Sequence, residues 1–266
     1  MVNVLNVIKV GGGVVEDAAS LASLLNQFSV LEGRKVLVHG GGRSATAMAA
    51  SLGIESRMVG GRRITDEQML RVVTMVYGGL VNKNIVAGLQ AKGVKAIGLS
   101  GADADVIRSH RRPPKRVRMD DNTEQVVDFG FVGDVDRVDA QFLAQLIEGG
   151  VVPVMAPLTH DGEGHILNTN ADTIAASVAC ALAGHYEVTL TYCFEKPGVL
   201  RNADDDNSVI PIINEQQFHQ LTTEGIISGG MIPKLENAFQ AIRQGVRRVV
   251  ITCSDNIDGS GGTVIE

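Results

Sequence analysis

Residues 2–10 are almost continuously apolar and stop at Gly11, Gly12 and Gly13, the pattern of a strand covered on both faces rather than one alternating against water. Beyond the glycines, Leu21, Leu24, Leu25 and Phe28 recur at i, i+3, i+4 and i+7, which predicts a helix with one apolar stripe, closed by Gly33. The unit then repeats. Residues 35–39 predict a second buried strand ending in Gly40, Gly41 and Gly42, followed by an alanine-rich helix through Leu52 with Gly53 as its stop. Thr65 and Gln68 form a capping-box pattern at the head of the longest helix, whose stripe of Leu70, Val73, Tyr77, Leu80 and Val81 runs toward Gly93.

Residues 95–99 and 151–155 read as further strands. Between them, over 108–138, the helical period is lost and charged residues interleave with Val and Phe, so a hairpin excursion is expected before a helix at 140–147. A helix to Ala183, a strand at 187–192, helices at 215–221 and 232–244 and a final strand at 248–252 complete the pattern. Alternating strands and helices require crossover connections. The expected fold is therefore α/β, a three-layer αβα sandwich with a mainly parallel central sheet and ligands at the C-terminal ends of its strands. Internal repeats and low-complexity linkers are absent, so a division into two lobes has to be a cleft in a continuous fold, with its seam near Gly184.

Composition narrows the functional classes. Of 266 residues, 44% are hydrophobic and 20% charged, enough for a substantial core. Glycine contributes 31 residues, about 12% against a usual level of about 7%, whereas tryptophan is absent and aromatics reach only 4%. A net charge of -6 with few stacking aromatics argues against a nucleic-acid partner, and the basic run over 108–118 reads as a solvated face. The apolar stretch over 171–183 contains Asp172 and falls short of a bilayer span, so no membrane partner is expected. Cys180, Cys193 and Cys253 form no CxxC pair and lack metal-ligand spacing; with no secretory pattern at the N-terminus, a cytoplasmic location is expected.

The candidate chemistry begins at the glycine turns. Gly11–Gly13 and Gly40–Gly42 each join a strand to a helix, where backbone amides and the helix dipole can receive anionic oxygen, although glycines there also serve tight turns. No GxxxxGK[ST] loop is present, and the dinucleotide fingerprint is only grazed by Gly40, Gly42 and Ala45. Lys9 stands inside an otherwise apolar strand directly before Gly11, a costly position unless a charge compensates it. Lys234 follows Gly229 and Gly230 at a helix start. Asp172, the sole carboxylate in an apolar helix start after Asn168 and Asn170, is the natural partner of both lysines.

Taken in order, Ile8-Lys9-Val10-Gly11-Gly12, Val38-His39-Gly40-Gly41-Gly42, Gly61-Arg62-Arg63-Ile64-Thr65, Asn168-Thr169-Asn170-Ala171-Asp172 and Gly230-Met231-Ile232-Pro233-Lys234 resemble the amino acid kinase family over nearly the whole chain. The second, third and fourth elements resemble the branch of arginine biosynthesis that acts on N-acetylated glutamate more than the branches acting on aspartate, uridylate or carbamate. The resemblance implies transfer of the γ-phosphoryl group of ATP to a side-chain carboxylate, with Mg2+ held mainly by the nucleotide phosphates. It implies that Lys9 and Lys234 stabilise the phosphoryl group and that Asp172 holds both lysines. Gly12, Gly41 and Gly42 would line the phosphoryl path and acceptor, and Arg63 and Asn168 would grip the α-carboxylate, with Asn170 supporting the loop or the substrate. Gly11, Gly198, Glu195 and Met231 fall to the nucleotide side, with residues 1–185 as the acceptor and dimerisation lobe and 186–266 as the ATP lobe.

Two stretches depart from the family pattern. Cys193-Phe194-Glu195-Lys196-Pro197-Gly198 replaces a sequence closer to Ser-Asp-Val-x-Gly, with Glu195 where Asp is usual, and the start of the 108–138 excursion is unusually rich in Arg and Pro. An N-succinylglutamate or aminoadipate-type acceptor therefore stays open beside N-acetylglutamate, as does a nucleotide-binding sensor without catalysis. A nicotinamide oxidoreductase built on the Gly40 turn is a third, weaker alternative. Arginine-inhibited members of the family carry an additional helix ahead of the first strand, where this sequence has eight residues before Lys9; the expectation is a homodimer without arginine feedback.

Overall fold

A computed structural model of the chain describes residues 3–118, 123–259 and 261–266. Val2, where the first strand is expected to begin, and residues 119–122 of the excursion lie outside the described residues. The apolar runs pair into one eight-stranded sheet. Its strands, numbered along the chain, are β1 (Val4–Val10), β2 (Arg34–His39), β3 (Ala96–Leu99), β4 (Val152–Met155), β5 (Glu187–Phe194), β6 (Ile212–Ile213), β7 (Arg248–Cys253) and β8 (Thr263–Ile265), in the spatial order β6-β8-β7-β5-β1-β2-β4-β3. From β7 to β3 all neighbours are parallel, as the crossovers demand, while β8 runs antiparallel to β7. The short strands β6 and β8 extend the sheet beyond the expected final strand; with two and three residues they carry too little pattern to be read from sequence.

The helices are α1 (Gly12–Glu16), α2 (Ala18–Val30), α3 (Gly42–Ser51), α4 (Glu67–Gln90), α5 (Ala140–Glu148), α6 (Ala171–Leu182), α7 (Glu215–Thr223) and α8 (Met231–Arg243). They cover both faces of the sheet. On β1, Leu5 and Val7 enter one core with Ile174 and Val178 of α6 and Leu235 of α8, whereas Ile8 and Val10 enter a second core with Phe28, Ala45 and Val76. Period-two alternation places Lys9 on the face of Leu5 and Val7, where α6 begins.

Three local expectations change. The cap of α4 is Asp66, whose carboxylate accepts from the Met69 amide at 2.9 Å, and not Thr65. Thr65 is buried in a crossing of loops, its amide donating to Phe129 O and its carbonyl accepting from the Phe131 amide. A five-residue helix, α1, starts directly after Gly11, ahead of the helix expected from the leucine stripe. The longest helix is α4, as expected, but it and not the 171–183 segment has the length and composition of a bilayer span; its Met69, Val72, Val73, Val76, Ile85 and Leu89 pack into the second core.

The excursion is larger than a hairpin. Ile107–Arg111 pairs antiparallel with Gly133–Val138 and joins Leu158–His160 and Ile166–Asn168 in a four-stranded sheet, from which a ribbon of Lys115–Arg118 and Glu124–Val127 projects.

Candidate active site

The strand order puts β1 at the centre, with β2 on one side and β5 on the other, and Val10 lies opposite both His39 and Cys193. Three chain turns therefore emerge side by side at the C-terminal edge. The Gly11 amide donates to Cys193 O at 3.0 Å and the Gly40 amide to Val10 O at 2.9 Å, so these two glycines finish the ladder. The following residues open α1 and α3, whose first-turn amides have no partner within their own helices. The turns pack against each other: a Cβ on Gly40 would lie 3.1 Å from the Gly12 nitrogen, and one on Gly12 would lie 3.6 Å from the Gly42 nitrogen. A methyl at Gly40 would require the Gly12 backbone to give by a few tenths of an ångström. Glu16, at the end of α1, accepts from the Ser44 amide at 2.5 Å and ties that end to the start of α3.

Lys9 is 6% exposed, and its Nζ lies 2.8 Å from Asp172 Oδ1. The pairing explains how a lysine survives on a buried face. Asp172 is held where α6 begins because Asn170 caps that helix, its Oδ1 accepting from the Asp172 and Thr173 amides at 2.8 and 3.1 Å. Lys234, on the first turn of α8, makes no ion pair with Asp172 among the described residues; its Nζ stands 3.7 Å from the centroid of the Phe194 ring, and Lys9 Nζ stands 4.9 Å from the same ring. Burial pushes the Lys234 ammonium below its ordinary value, Asp172 opposes that shift and Lys9 adds to it. Phe194 is thus a shared platform for both cations, a role the sequence did not signal beyond its place in the divergent 193–198 stretch.

These groups line a cavity of about 510 Å³ together with Gly11, Gly12, Gly13, Gly42, Arg43, Glu195, Gly198 and Met231. A second cavity, about 190 Å³, adjoins it at Gly42 and the start of α6 and is lined by Gly40, Gly41, Arg62, Arg63, Tyr77, Arg112, Asn168 and Asn170. Every residue singled out from the sequence falls on one or both. In the smaller cavity Arg63 is buried, its guanidinium donating to Gly42 O at 2.8 Å, to Thr46 Oγ1 at 2.9 Å and to Ser56 Oγ. It therefore braces the second glycine turn as well as carrying charge. Asn168 Nδ2 donates to Thr65 Oγ1 at 2.9 Å.

Sequence reasoning missed Arg62, Arg112 and Tyr77. Arg112 is paired with Asp134, Nε to Oδ2 at 3.0 Å, which holds that carboxyl below the usual range. Arg62 has no ion pair among the described residues. A third cavity, about 460 Å³, shares Arg62 and Arg112 with the second and adds Lys115, Arg116, Pro113 and Pro114 from the excursion. His39, before the second glycine turn, is fully buried; burial lowers its pKa to about 4, and it lies 2.7 Å from Gly40 O and 3.1 Å from Asn82 Nδ2. An imidazole so placed stays neutral at physiological pH and is a structural anchor rather than a base.

A model of the amino acid kinase family matches residues 5–253. The chain is 63% identical to an acetylglutamate kinase of Bacteroides fragilis over 98% of this chain and 97% of that protein, and 63% identical to one of Phocaeicola vulgatus over 98% of each. Among solved structures it resembles smu.665 of Streptococcus mutans, with a TM-score of 0.76, 28% identity and 98% of each chain covered.

Proposed function

The chain belongs to the amino acid kinase family, and we propose that it transfers the γ-phosphoryl group of ATP to the side-chain carboxylate of N-acetyl-L-glutamate, a step of arginine biosynthesis. One observation carries this reading. The Lys9–Asp172 pair and Lys234 line a 510 Å³ cavity that adjoins a 190 Å³ one at Gly42 and the start of α6, so that two small molecules can face each other beside two cations and a set of helix-start amides.

The chemistry needs no base. A glutamate side chain is already ionised at neutral pH, so one carboxylate oxygen attacks the γ-phosphorus, the bond to the β,γ-bridging oxygen breaks, and its electron pair leaves with ADP. What the protein must supply is position and positive charge. We assign Lys9 to the phosphoryl group in flight, Lys234 to the leaving β,γ-bridge, and Asp172 to holding Lys9. The amides of Gly12 and of Gly41 and Gly42 border the path. Arg63 and Asn168 receive the α-carboxylate, with Asn170 fixing the start of α6; Gly11, Gly198, Glu195 and Met231 line the nucleotide side. Residues 1–185 then form the acceptor lobe and 186–266 the nucleotide lobe. Asp172, in the larger cavity, is already paired with Lys9, which suits Mg2+ carried by phosphate oxygens and water, where it would offset the charge of the nucleotide.

The direct test is trapping of the acyl phosphate with hydroxylamine. ATP-dependent hydroxamate from N-acetylglutamate is the expected result; ATP binding by calorimetry with no hydroxamate from any N-acylglutamate would leave a sensor and overturn the reading. A second acceptor is favoured by one feature: Arg62 and Arg112 join the acceptor cavity to the basic third cavity, which suits an acyl group with a carboxylate of its own. N-Succinylglutamate outperforming N-acetylglutamate in kcat/KM would establish it.

We also infer a cytoplasmic homodimer. Met75 and Leu80 of α4 and Ile97 on the edge strand β3 are exposed large apolar side chains, and the open sheet edge at Ile97 invites a second copy. Sedimentation should give twice the chain mass, and Leu80→Glu should halve it.

A further inference from the structure

Arg43 and Glu195 meet across the mouth of the larger cavity. Arg43 is the second residue of α3, and Glu195 follows the last residue of β5. Arg43 Nη2 lies 2.9 Å from Glu195 Oε1, with the two side chains 70% and 62% exposed. The pair spans Gly13: a Cβ there would fall 1.9 Å from Oε1 and 3.3 Å from Arg43 Nη1. A carboxylate is thus laid over the first turn of α1, in a cavity whose lysines and amides otherwise suit phosphate.

We propose that Arg43 is a third phosphate-directed cation of this site and Glu195 its exchange partner, the guanidinium leaving the carboxylate for γ-phosphoryl oxygens during turnover and returning as ADP departs. The inference rests on the kinase reading above. Charge is the first reason. Lys9, Lys234 and Asp172 together carry one net positive charge, against a triphosphate and an anionic acceptor, so a further cation reduces their repulsion. Geometry is the second. Arg63, through Gly42 O, and Glu16, through the Ser44 amide, pin the backbone on either side of Arg43, while its side chain stands largely exposed with Glu195 its one ion-pair partner among the described residues. The third is the weakness of an exposed ion pair, which a phosphate with several oxygens outcompetes through the forked guanidinium.

The test compares wild-type protein with Arg43→Gln and Glu195→Gln, both surface changes, by calorimetric titration with MgADP and with MgAMP-PNP and by steady-state turnover. Arg43→Gln should weaken MgAMP-PNP about tenfold and MgADP less than about twofold, and lower kcat about 10²-fold while the acceptor KM moves less than about threefold. Glu195→Gln should tighten MgAMP-PNP several-fold, because the competing carboxylate charge is gone. Equal weakening of both nucleotides by Arg43→Gln, kcat within twofold of wild type, or looser MgAMP-PNP binding in Glu195→Gln overturns the exchange. Wild-type protein that binds neither nucleotide overturns the kinase reading itself.

Discussion

The two triple-glycine turns have the same grammar in sequence, an apolar strand, three glycines and a helix, yet they become different devices. The first follows Lys9 and opens the five-residue α1; the nearest atoms to its Gly13 belong to the flexible ends of Glu195 and Arg43. The second opens the ten-residue α3 and is clamped by Arg63 through Gly42 O, by Glu16 through the Ser44 amide and by His39 beside Gly40 O. One turn is bordered by the exposed side chains of Arg43 and Glu195 and faces the larger cavity. The other is rigid and separates that cavity from the smaller one. The same residues at the same spacing therefore do not fix what a turn does; its neighbours in space decide.

The largest expected effect removes either of the two lysines that line the larger cavity, which the first turn faces. Lys9→Ala and Lys234→Ala should each lower kcat about 10²–10³-fold with acceptor KM changed little, since their charge acts most strongly in the transition state. Steady-state kinetics check this, and a change in KM alone would return both lysines to simple binding.

Alanine placed in each turn breaks the comparison directly. Gly40→Ala pushes on the Gly12 nitrogen at 3.1 Å and should cost about 1–3 kcal/mol in urea unfolding with loss of turnover. Gly13→Ala displaces only a flexible side chain and should keep the unfolding midpoint near wild type. Equal costs at both positions would erase the distinction between a turn packed on backbone and one bordered by side-chain ends.

A pH effect belongs to the second turn alone. The folded pKa of His39 is about 4 against an ordinary 6.5, so the unfolded chain binds the extra proton between those values. Stability is fully present above pH 6.5 and falls as pH drops toward 4, by about 3 kcal/mol in total from this group. Denaturant midpoints measured across that window should lose most of this slope in His39→Gln. The smallest effect is at Asn170→Ala, where the loss of the α6 cap should cost about 1 kcal/mol and raise the acceptor KM through displacement of Asp172.

Much of the fold was legible because buried parallel strands leave unbroken apolar runs and glycine stops. β1, β2, β5 and α6 stand within a few residues of their expected positions. The cap of α4 was not, because Thr65 and Asp66 can both cap a helix and a distant loop claims Thr65. In the site, Lys9, Lys234 and Asp172 were visible as charges in apolar surroundings or at a helix start. Phe194, Arg43, Arg62 and Arg112 were not, since an aromatic at a strand end or an arginine in a basic run looks the same in sequence whether it lines a cavity or meets water.

The sequence by itself determined which segments are buried strands, where bare backbone ends them, and which cations lack local partners. Those properties follow from local pattern and from the cost of burying charge. Only the tertiary structure decided that the first strand lies at the centre of the sheet. That order brings residues 9, 42, 172, 194 and 234 to one edge, sets Lys234 on an aromatic ring rather than on Asp172, and lays Glu195 over Gly13. Strand order is a choice among long-range crossovers, and no local pattern of residues encodes it.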